Sequence, residues 1–431
     1  MKLTKKFIID ISKQKKEPKW MTDFRLKSFE KFLELSNPDF GPTIKIDFDS
    51  LTYYKKVGET SSDWDKIDKN IKDTFEELGV IAAEEKYLCG VSNQYESEVI
   101  YHNLKDDAKE SGIIFLSTDA ALKEYPDLFK QYFNNLVKYD ENKYTALNGA
   151  LWSGGSFIYI PPHTKLDRPL QSYFRINEKV MGQFERTIII VDEGAELSYI
   201  EGCTAVANAE NSLHAGVVEI YVKKNAICRY STIQNWSEDV YNLVTKRSIV
   251  DEAGRMEWVD GNLGSYITMK YPSCILKGNN SSASSITIAY AKNKQKLDAG
   301  AKMIHLGKNT KSNIISKSIG ASGGVANYRG TVKISAEATN SEAIIKCDTI
   351  LLDSQSKSDT FPKNIVLNDS SILEHEATVS KISEEKLHYL QSKGLSENAS
   401  KELVIMGFIA DFKKELPLEY AIELNRLLKN I

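Results

Sequence analysis

The sequence predicts a mainly β fold, a parallel β-helix core with α-helical regions before and after it. Two observations carry that prediction. From about residue 146 to 382, short β-branched and aromatic runs alternate with Gly, Asn and Asp, as in GSFIYIPP, FERTIIIVDEGAELSYIEG, VVEIYVKKNAICRYSTI and KRSIVDEAGRMEWVDG. Within that region one unit recurs about every thirty residues. It is an apolar strand ending in Val, a turn (Asp192-Glu193-Gly194, Lys223-Lys224-Asn225 or Asp251-Glu252-Ala253-Gly254), and a strand bearing Tyr199, Tyr230 or Trp258. Units of that length cannot bury their strands alone, whereas stacked coils can, and no propeller-blade signature is present.

In chain order, residues 1–145 read as an α-rich N-terminal region. TDFRLKSFEKFLEL, DWDKIDKNIKDTFEELG and DAALKEYPDLFKQYFNNL each repeat apolar residues at helical spacing. Residues 146–382 form the β-helix. Residues 383–431 return to helix: Ser383 is placed to cap SEEKLHYLQSKG, Gly394 to end it, and Pro417 to start the last helix. The apolar positions there (Leu403, Met406, Phe408, Ile409, Phe412, Leu418, Tyr420, Ile422, Leu424, Leu427, Leu428) exceed what three short helices need to cover one another. The surplus is read either as packing against the end of the solenoid or as a partner-docking face.

Composition narrows the function. A 431-residue chain with a formal charge of -3 and interspersed charges offers no basic run for gripping nucleic acid. No apolar run approaches the ~18 residues of a membrane span, and MKLTKKFIIDISKQKKE carries too short an apolar piece for a signal peptide. A soluble, intracellular protein is expected. The five cysteines are dispersed without a C-x-x-C pair, so neither a disulfide framework nor a zinc ribbon is supported. HLGKNTKS lacks the upstream glycine and the Ser or Thr of a Walker A loop, and GASGGVANYRG lacks the setting of a dinucleotide fingerprint. No G-x-S-x-G elbow marks a hydrolase. A carbohydrate-cleaving β-helix would gather acidic and basic residues on one face, and here they are scattered.

Two segments carry more chemistry than packing needs. Alternation in SEAIIKCDTILL puts Ala343, Ile345, Cys347, Thr349 and Leu351 on one face. In SILEHEATV it puts Leu373, His375, Ala377 and Val379 together, with Glu374 and Glu376 opposite. A lone strand cysteine is ordinarily a small buried hydrophobe, and a histidine on an apolar face a satisfied core residue. The two carboxylates flanking His375 make that reading costly for any of them that becomes covered. A metal is one partner that would satisfy them. Thiolate, imidazole and carboxylate together suit iron or zinc, and the 28-residue interval from Cys347 to His375 is about one coil.

The long motifs GALWSGGSFIYIPP, PLQSYFRIN, YIEGCTA, STIQNWS, MEWVDGNLGS, SEAIIKCD, LEHEATVSKI and ELPLEYA resemble the SufB/SufD family of the SUF iron–sulfur cluster assembly system, and SufB more than SufD. The resemblance spans nearly the whole chain. It implies a right-handed parallel β-helix, no enzymatic activity of its own, and a complex with the ATPase SufC and either SufD or a second SufB copy. ATP hydrolysis would belong to SufC. Further implied partners are a sulfur donor (SufE, or SufU, with SufS) and apo iron–sulfur proteins. The implied cargo is a transient iron–sulfur cluster, with reduced flavin in the complex left open. The family's cluster cysteine falls on Cys347 and its histidine and glutamate on His375 and Glu376, at a dimer interface. Its sulfur-accepting cysteine falls on Cys203, with Arg175, Asn177 and Thr232 associated with sulfur passage. Because adjacent strand residues point to opposite faces, Glu376 is the preferred ligand beside Cys347 and His375 the adjustable or partner-facing one. The cysteine-rich N-terminal motif of some members is absent. Alternatives kept open are a SufD-like subunit and a purely structural β-helix, and the location is bacterial cytoplasm or plastid stroma.

Overall fold

The computed structural model describes residues 2–58, 60–69, 71, 72, 87–205 and 211–414. Among these, the strands build two large sheets, one of ten strands and one of twelve, that face each other as the walls of a β-solenoid of about eight turns. In the first sheet, strands Glu196–Ala205, Ile227–Trp236, Arg255–Gly264, Ser282–Lys292, Lys311–Ala321, Glu342–Leu351 and Ile372–Lys381 follow one another in parallel. The second sheet stacks Arg186–Val191, Val217–Val222, Tyr241–Val250, the broken pair Ile267–Lys270 and Ser273–Leu276, then Lys296–His305, Val325–Ile334 and Thr360–Val366.

The repeat has a simple physical origin. Side chains that meet across adjacent coils are 28 to 31 residues apart, as for Thr232–Asp260, Tyr230–Glu201 and Lys317–Asp348. Equivalent corners take a left-handed backbone, mostly on residues that tolerate it, Gly194 (φ +65°) and Asn225 (φ +56°), although the next corner places Ala253 there (φ +53°). Every second residue points inward, so that Leu197, Tyr199, Tyr230, Trp258, Met303, Ile314, Ile345 and Cys347 belong to one continuous core. Aromatic residues pack in tilted pairs from coil to coil, Tyr199 against Tyr230 at 5.0 Å and Tyr230 against Trp258 at 5.2 Å between ring centroids.

The N-terminal part holds the expected helix Lys19–Glu34, which packs Met21 with Phe129, Phe133 and Trp152 onto the outward residues Phe157, Ile188 and Ile190 of the second sheet. The helix expected across 119–136 is two helices, Thr118–Glu124 and Pro126–Tyr132, because Pro126 lacks the N–H that a continuous helix requires and instead opens the second one. Most of the helix expected across 63–79 lies outside the described residues. Three strands fall inside the region read as α-rich. Gly90–Tyr95 and Glu98–Leu104 form a hairpin that continues the first sheet, and Ile114–Ser117 extends the second. Their signal is weak because GVSNQY buries polar Ser92, Asn93 and Gln94 where alternation leads one to expect apolar residues.

At the other end, helices Glu384–Ser392 and Glu397–Phe408 follow the last strand, capped by Ser383 and Ser396. Ile405, Ile409 and Phe412 are buried with Val259, Ile288 and Ile319 on the outer face of the first sheet, so this unit covers the flank of the solenoid rather than its end. The last expected helix, with Leu418 to Leu428, lies outside the described residues. Among the described residues no helix is long and apolar enough to cross a membrane.

Candidate functional site

The two cysteines singled out by the sequence, Cys203 and Cys347, lie at different heights in the same interior. Cys203 is fully buried, on the inner face of Glu196–Ala205 among Phe174, Ile176, Met181 and Trp236. Its thiol approaches Glu201 Oε1 at 3.8 Å. Burial pushes the thiol well above its usual pKa, the Glu201 and Glu185 carboxylates add to the shift, and Lys246 and Lys270 oppose it.

Around Cys203 lies a buried network of charges. Glu201 accepts a hydrogen bond from the Tyr230 hydroxyl and an ion pair from Lys246 at 3.3 Å. Asp260 accepts from Thr232 and from Lys270 at 3.0 Å, and Lys270 also reaches Gln234 Oε1 at 3.1 Å. Two carboxylates and two ammonium groups balance, which is what lets four charges stay inside. Burial raises the Asp260 carboxyl, but Lys270 and Lys246 outweigh it and hold the group below its ordinary pKa. A second cluster adjoins: His214 Nε2 lies 2.7 Å from Glu185 Oε1 and His214 Nδ1 2.8 Å from Asn242 Oδ1. Asn242 Nδ2 is held at 2.7 Å by Gln234 Oε1, so its oxygen must face the ring and both ring nitrogens donate. Burial disfavours that imidazolium, Glu185 outweighs burial, and the His214 pKa is raised.

Strand register extends this polarity along the solenoid. Glu201, Thr232, Asp260, Thr287, Ser316 and Cys347 occupy one column of directly paired positions, none more than 4 % exposed. Beside it runs a second column, Cys203, Gln234, Asn262, Ala289, Ser318 and Thr349. The facing sheet contributes Lys270, Ala299 and Tyr328 in register. Five strand-to-strand steps of ~4.8 Å put about 24 Å between the two ends. Along these columns Gln234 Nε2, Asp260 Oδ2 and Asn262 Oδ1 are buried without a protein hydrogen-bond partner. Such atoms are uncommon in folded interiors unless a small polar species meets them.

Cys347 stands at the far end of the first column. Its inward face is the one alternation predicts, with Ala343 and Ile345 buried beside it. Burial pushes its thiol up to about 12, with the Tyr328 hydroxyl opposing. Strand Ile372–Lys381 is the last of the first sheet among the described residues, which place no further coil over it, and Ala377 and Val379 on its inner side are exposed. His375 is half-buried there. Its Nε2 lies 3.9 Å from Cys347 Sγ and its Nδ1 3.2 Å from Asn364 Nδ2. Burial lowers the His375 pKa, which favours the neutral ring that binds metals.

The expected ligands are therefore ranked differently by geometry. The strand runs through residues 374–376 in unbroken register, pairing Ile345 with His375 and Lys346 with Glu376. His375 shares the Cys347 face, while Glu374 and Glu376 are exposed on the other face, away from the thiol. Within the described chain it is therefore His375, and not the preferred Glu376, that lies on the Cys347 face, because adjacent residues of an unbroken strand point to opposite sides. Among the described residues no three His, Cys, Asp or Glu side chains converge as a metal site.

Of the other expected residues, Thr232 sits in the polar column, whereas Arg175 does not line it. Arg175 alternates with the inward Phe174 and Ile176 and donates to Thr204 Oγ1 at 2.9 Å. Asn177 follows that strand and gives its backbone N–H to Glu96 Oε1 at 2.9 Å. Sequence reasoning missed Glu201, Lys246, Asp260 and Lys270. The signal was there: in YNLVTKRSIV, Lys246 occupies the inward phase set by Val244, Ser248 and Val250, and a charge at an inward position needs buried partners.

Comparison with known proteins agrees with this architecture. Residues 174–408 match the family model described as SUF system FeS cluster assembly, SufBD core domain, and residues 52–172 match the SufBD protein N-terminal region. The chain is 54% identical over 429 residues to the iron-sulfur cluster assembly protein SufB of Bacillus subtilis, covering 99% of this chain and 92% of that protein. Iron-sulfur cluster assembly SufBD family proteins of Staphylococcus epidermidis and Staphylococcus aureus are each 55% identical over the same shares. The chain belongs to the SufB/SufD family of SUF-system iron–sulfur cluster assembly proteins.

Proposed function

We propose that the chain is the scaffold on which a labile iron–sulfur cluster is built, with sulfur accepted at Cys203 and the cluster held at Cys347 and His375 against a second subunit. The observation that carries this reading is the pairing of Cys347 with His375 at 3.9 Å on the uncovered last strands of the solenoid. One thiolate and one imidazole are too few for a permanent cluster, which ordinarily takes four protein ligands. The missing ligands then come from the other subunit, SufD or a second copy, and the cargo can leave when that contact loosens. Glu376 and Glu374, on the opposite face, serve that contact rather than the same iron as Cys347.

Sulfur would travel from Cys203 to Cys347 along the polar columns. The two thiols are too far apart for direct exchange; releasing the outer sulfur of a Cys203 persulfide as hydrosulfide would take two electrons and a proton, which a reductant such as reduced flavin in the complex would supply, leaving the Cys203 thiol, and the partnerless polar atoms between the cysteines offer that anion hydrogen bonds. Thr232, hydrogen-bonded to Asp260, belongs to that passage, while Arg175 and Asn177 would act at its Cys203 end. Sulfur would arrive as persulfide from a donor protein (SufE, or SufU, with SufS), and SufC would hydrolyse ATP. Anaerobic reconstitution of the co-purified complex with iron and sulfide tests the reading. Cluster absorption should appear and should be lost in Cys347→Ser, whereas a protein without visible absorption before and after reconstitution would be a structural β-helix only.

A further inference from the structure

The outer face of the second sheet carries a pocket that the sulfur chemistry does not use. It encloses about 530 Å³ between the segment Leu35–Phe40 and the strands, a volume in the range of small-molecule sites. Its floor is one register column, Arg247, Ser273, Lys302 and Thr331, continued beyond the pocket by Lys363, in which cationic and hydroxyl residues alternate on successive strands. Two features of that floor call for an anion. Ser273 is 3% exposed and its hydroxyl has no hydrogen-bond partner. Lys302 is half-buried, and the pocket's inner carboxylates are committed elsewhere. Glu141 is held by Arg247 at 2.6 and 2.8 Å, and Asp298 by Arg329 at 3.1 Å through both oxygens. Asp39 lies on the exposed rim. Burial and the nearby charge of Arg247 both hold the Lys302 ammonium below its usual pKa. Glu141 opposes them, and Lys363 and Lys333 add to the lowering. Aromatic rings wall the cavity: Tyr144, Tyr271 and Phe40, the last beneath the Arg329 guanidinium at 5.0 Å.

We propose that this pocket binds an aromatic phosphate monoester, its phosphoryl oxygens taken by Ser273 Oγ and Lys302 Nζ and its ring by Phe40 and Tyr271. A phosphoryl group brings the negative charge that Lys302 lacks and an acceptor for the Ser273 hydroxyl, while the apolar wall gives an attached ring a place that inorganic phosphate would leave empty. The site stands apart from Cys203 and Cys347, so it does not depend on the cluster reading.

Pyridoxal phosphate, a phosphorylated aromatic aldehyde, is the probe. In the pocket its aldehyde condenses with the Lys302 amine, losing water, and borohydride reduces the imine to a stable secondary amine that peptide mass spectrometry locates. With probe below one equivalent on the full chain, Lys302 should be labelled ahead of the exposed Lys333. Phenyl phosphate should protect it at lower concentration than inorganic phosphate, and pyridoxal without the phosphate should label it poorly. Ser273→Ala removes a hydroxyl that makes no bond within the protein, so the fold should persist while phenyl phosphate protection weakens about tenfold. Labelling spread evenly over surface lysines, or no protection by phosphate, would overturn the proposal. Equal protection by phenyl phosphate and inorganic phosphate would overturn its aromatic part, and full protection in Ser273→Ala would remove the hydroxyl from the site.

Discussion

Cys347 Sγ and His375 Nε2 face each other at 3.9 Å across the last two strands that the described residues add to the first sheet. A buried thiol ordinarily has packing on all sides. Here the stack stops, and Ile372 and Val379 on the final strand are 59% and 49% exposed. The end of the solenoid thus presents a soft and a borderline donor inside an apolar rim, which is the form an interface takes when a second protein completes it.

Cys203→Ser should abolish cluster formation when sulfur comes from a persulfide donor, because only sulfur can accept the terminal sulfur atom. Supplying free sulfide should restore it if, as proposed, the cluster is held at Cys347, several coils away from Cys203. Absorption spectra under the two sulfur sources check this, and equal loss under both would make Cys203 a ligand.

Lys246→Met leaves the Glu201 carboxylate with a tyrosine and a distant cation inside the core. Removing one partner of a buried ion pair costs about 3–5 kcal/mol, so the denaturant midpoint should fall markedly. Adding Glu201→Gln, which keeps an acceptor for Tyr230 without the charge, should recover much of the loss. A double variant no more stable than the single one would show that Lys246 acts by packing alone.

The raised pKa of His214 makes a signed prediction about pH. A group whose pKa is higher folded than unfolded contributes stability that is fully present below the unfolded value of about 6.5 and is lost as pH rises through the folded value. Stability should therefore decline from its His214-supported level as pH rises past about 6.5. In His214→Gln, which retains a donor toward Glu185, that part of the pH dependence should disappear from thermal melts.

For the C-terminal helices, the exposed Tyr389 and Leu403 lie apart from Ile405, Ile409 and Phe412, which cover the first sheet. If this unit docks the ATPase SufC, Tyr389→Ala with Leu403→Asp should cut copurification of SufC while leaving the β-rich circular dichroism spectrum intact. Deleting the whole unit would be a poorer experiment, because it also strips apolar cover from the solenoid. Normal SufC stoichiometry in the double variant would move the docking surface elsewhere.

The solenoid was legible because its rules are local: alternation, a corner residue and a repeat near thirty residues recur from Asp192 to the last strand. Cys347 and its inward face were legible for the same reason. The ranking of His375 and Glu376 was not, since adjacent residues of one strand point to opposite faces and alternation in SILEHEATV does not say which of them a ligand or second subunit meets. The charge network around Cys203 was out of reach for a different cause. Lys246, Asp260, Lys270 and Glu201 lie on four strands of two sheets, and only the coil register brings them together.

The most direct test of the cluster site is iron and acid-labile sulfide per assembled complex, measured anaerobically in Cys347→Ser, His375→Ala and Glu376→Ala. Geometry predicts near-complete loss for Cys347→Ser, a strong loss for His375→Ala, and for Glu376→Ala a loss that follows weakened subunit contact rather than an unchanged complex holding less iron. Wild-type iron and sulfide in a Cys347→Ser, His375→Ala double variant would contradict the account and leave the uncovered strand end as structure alone.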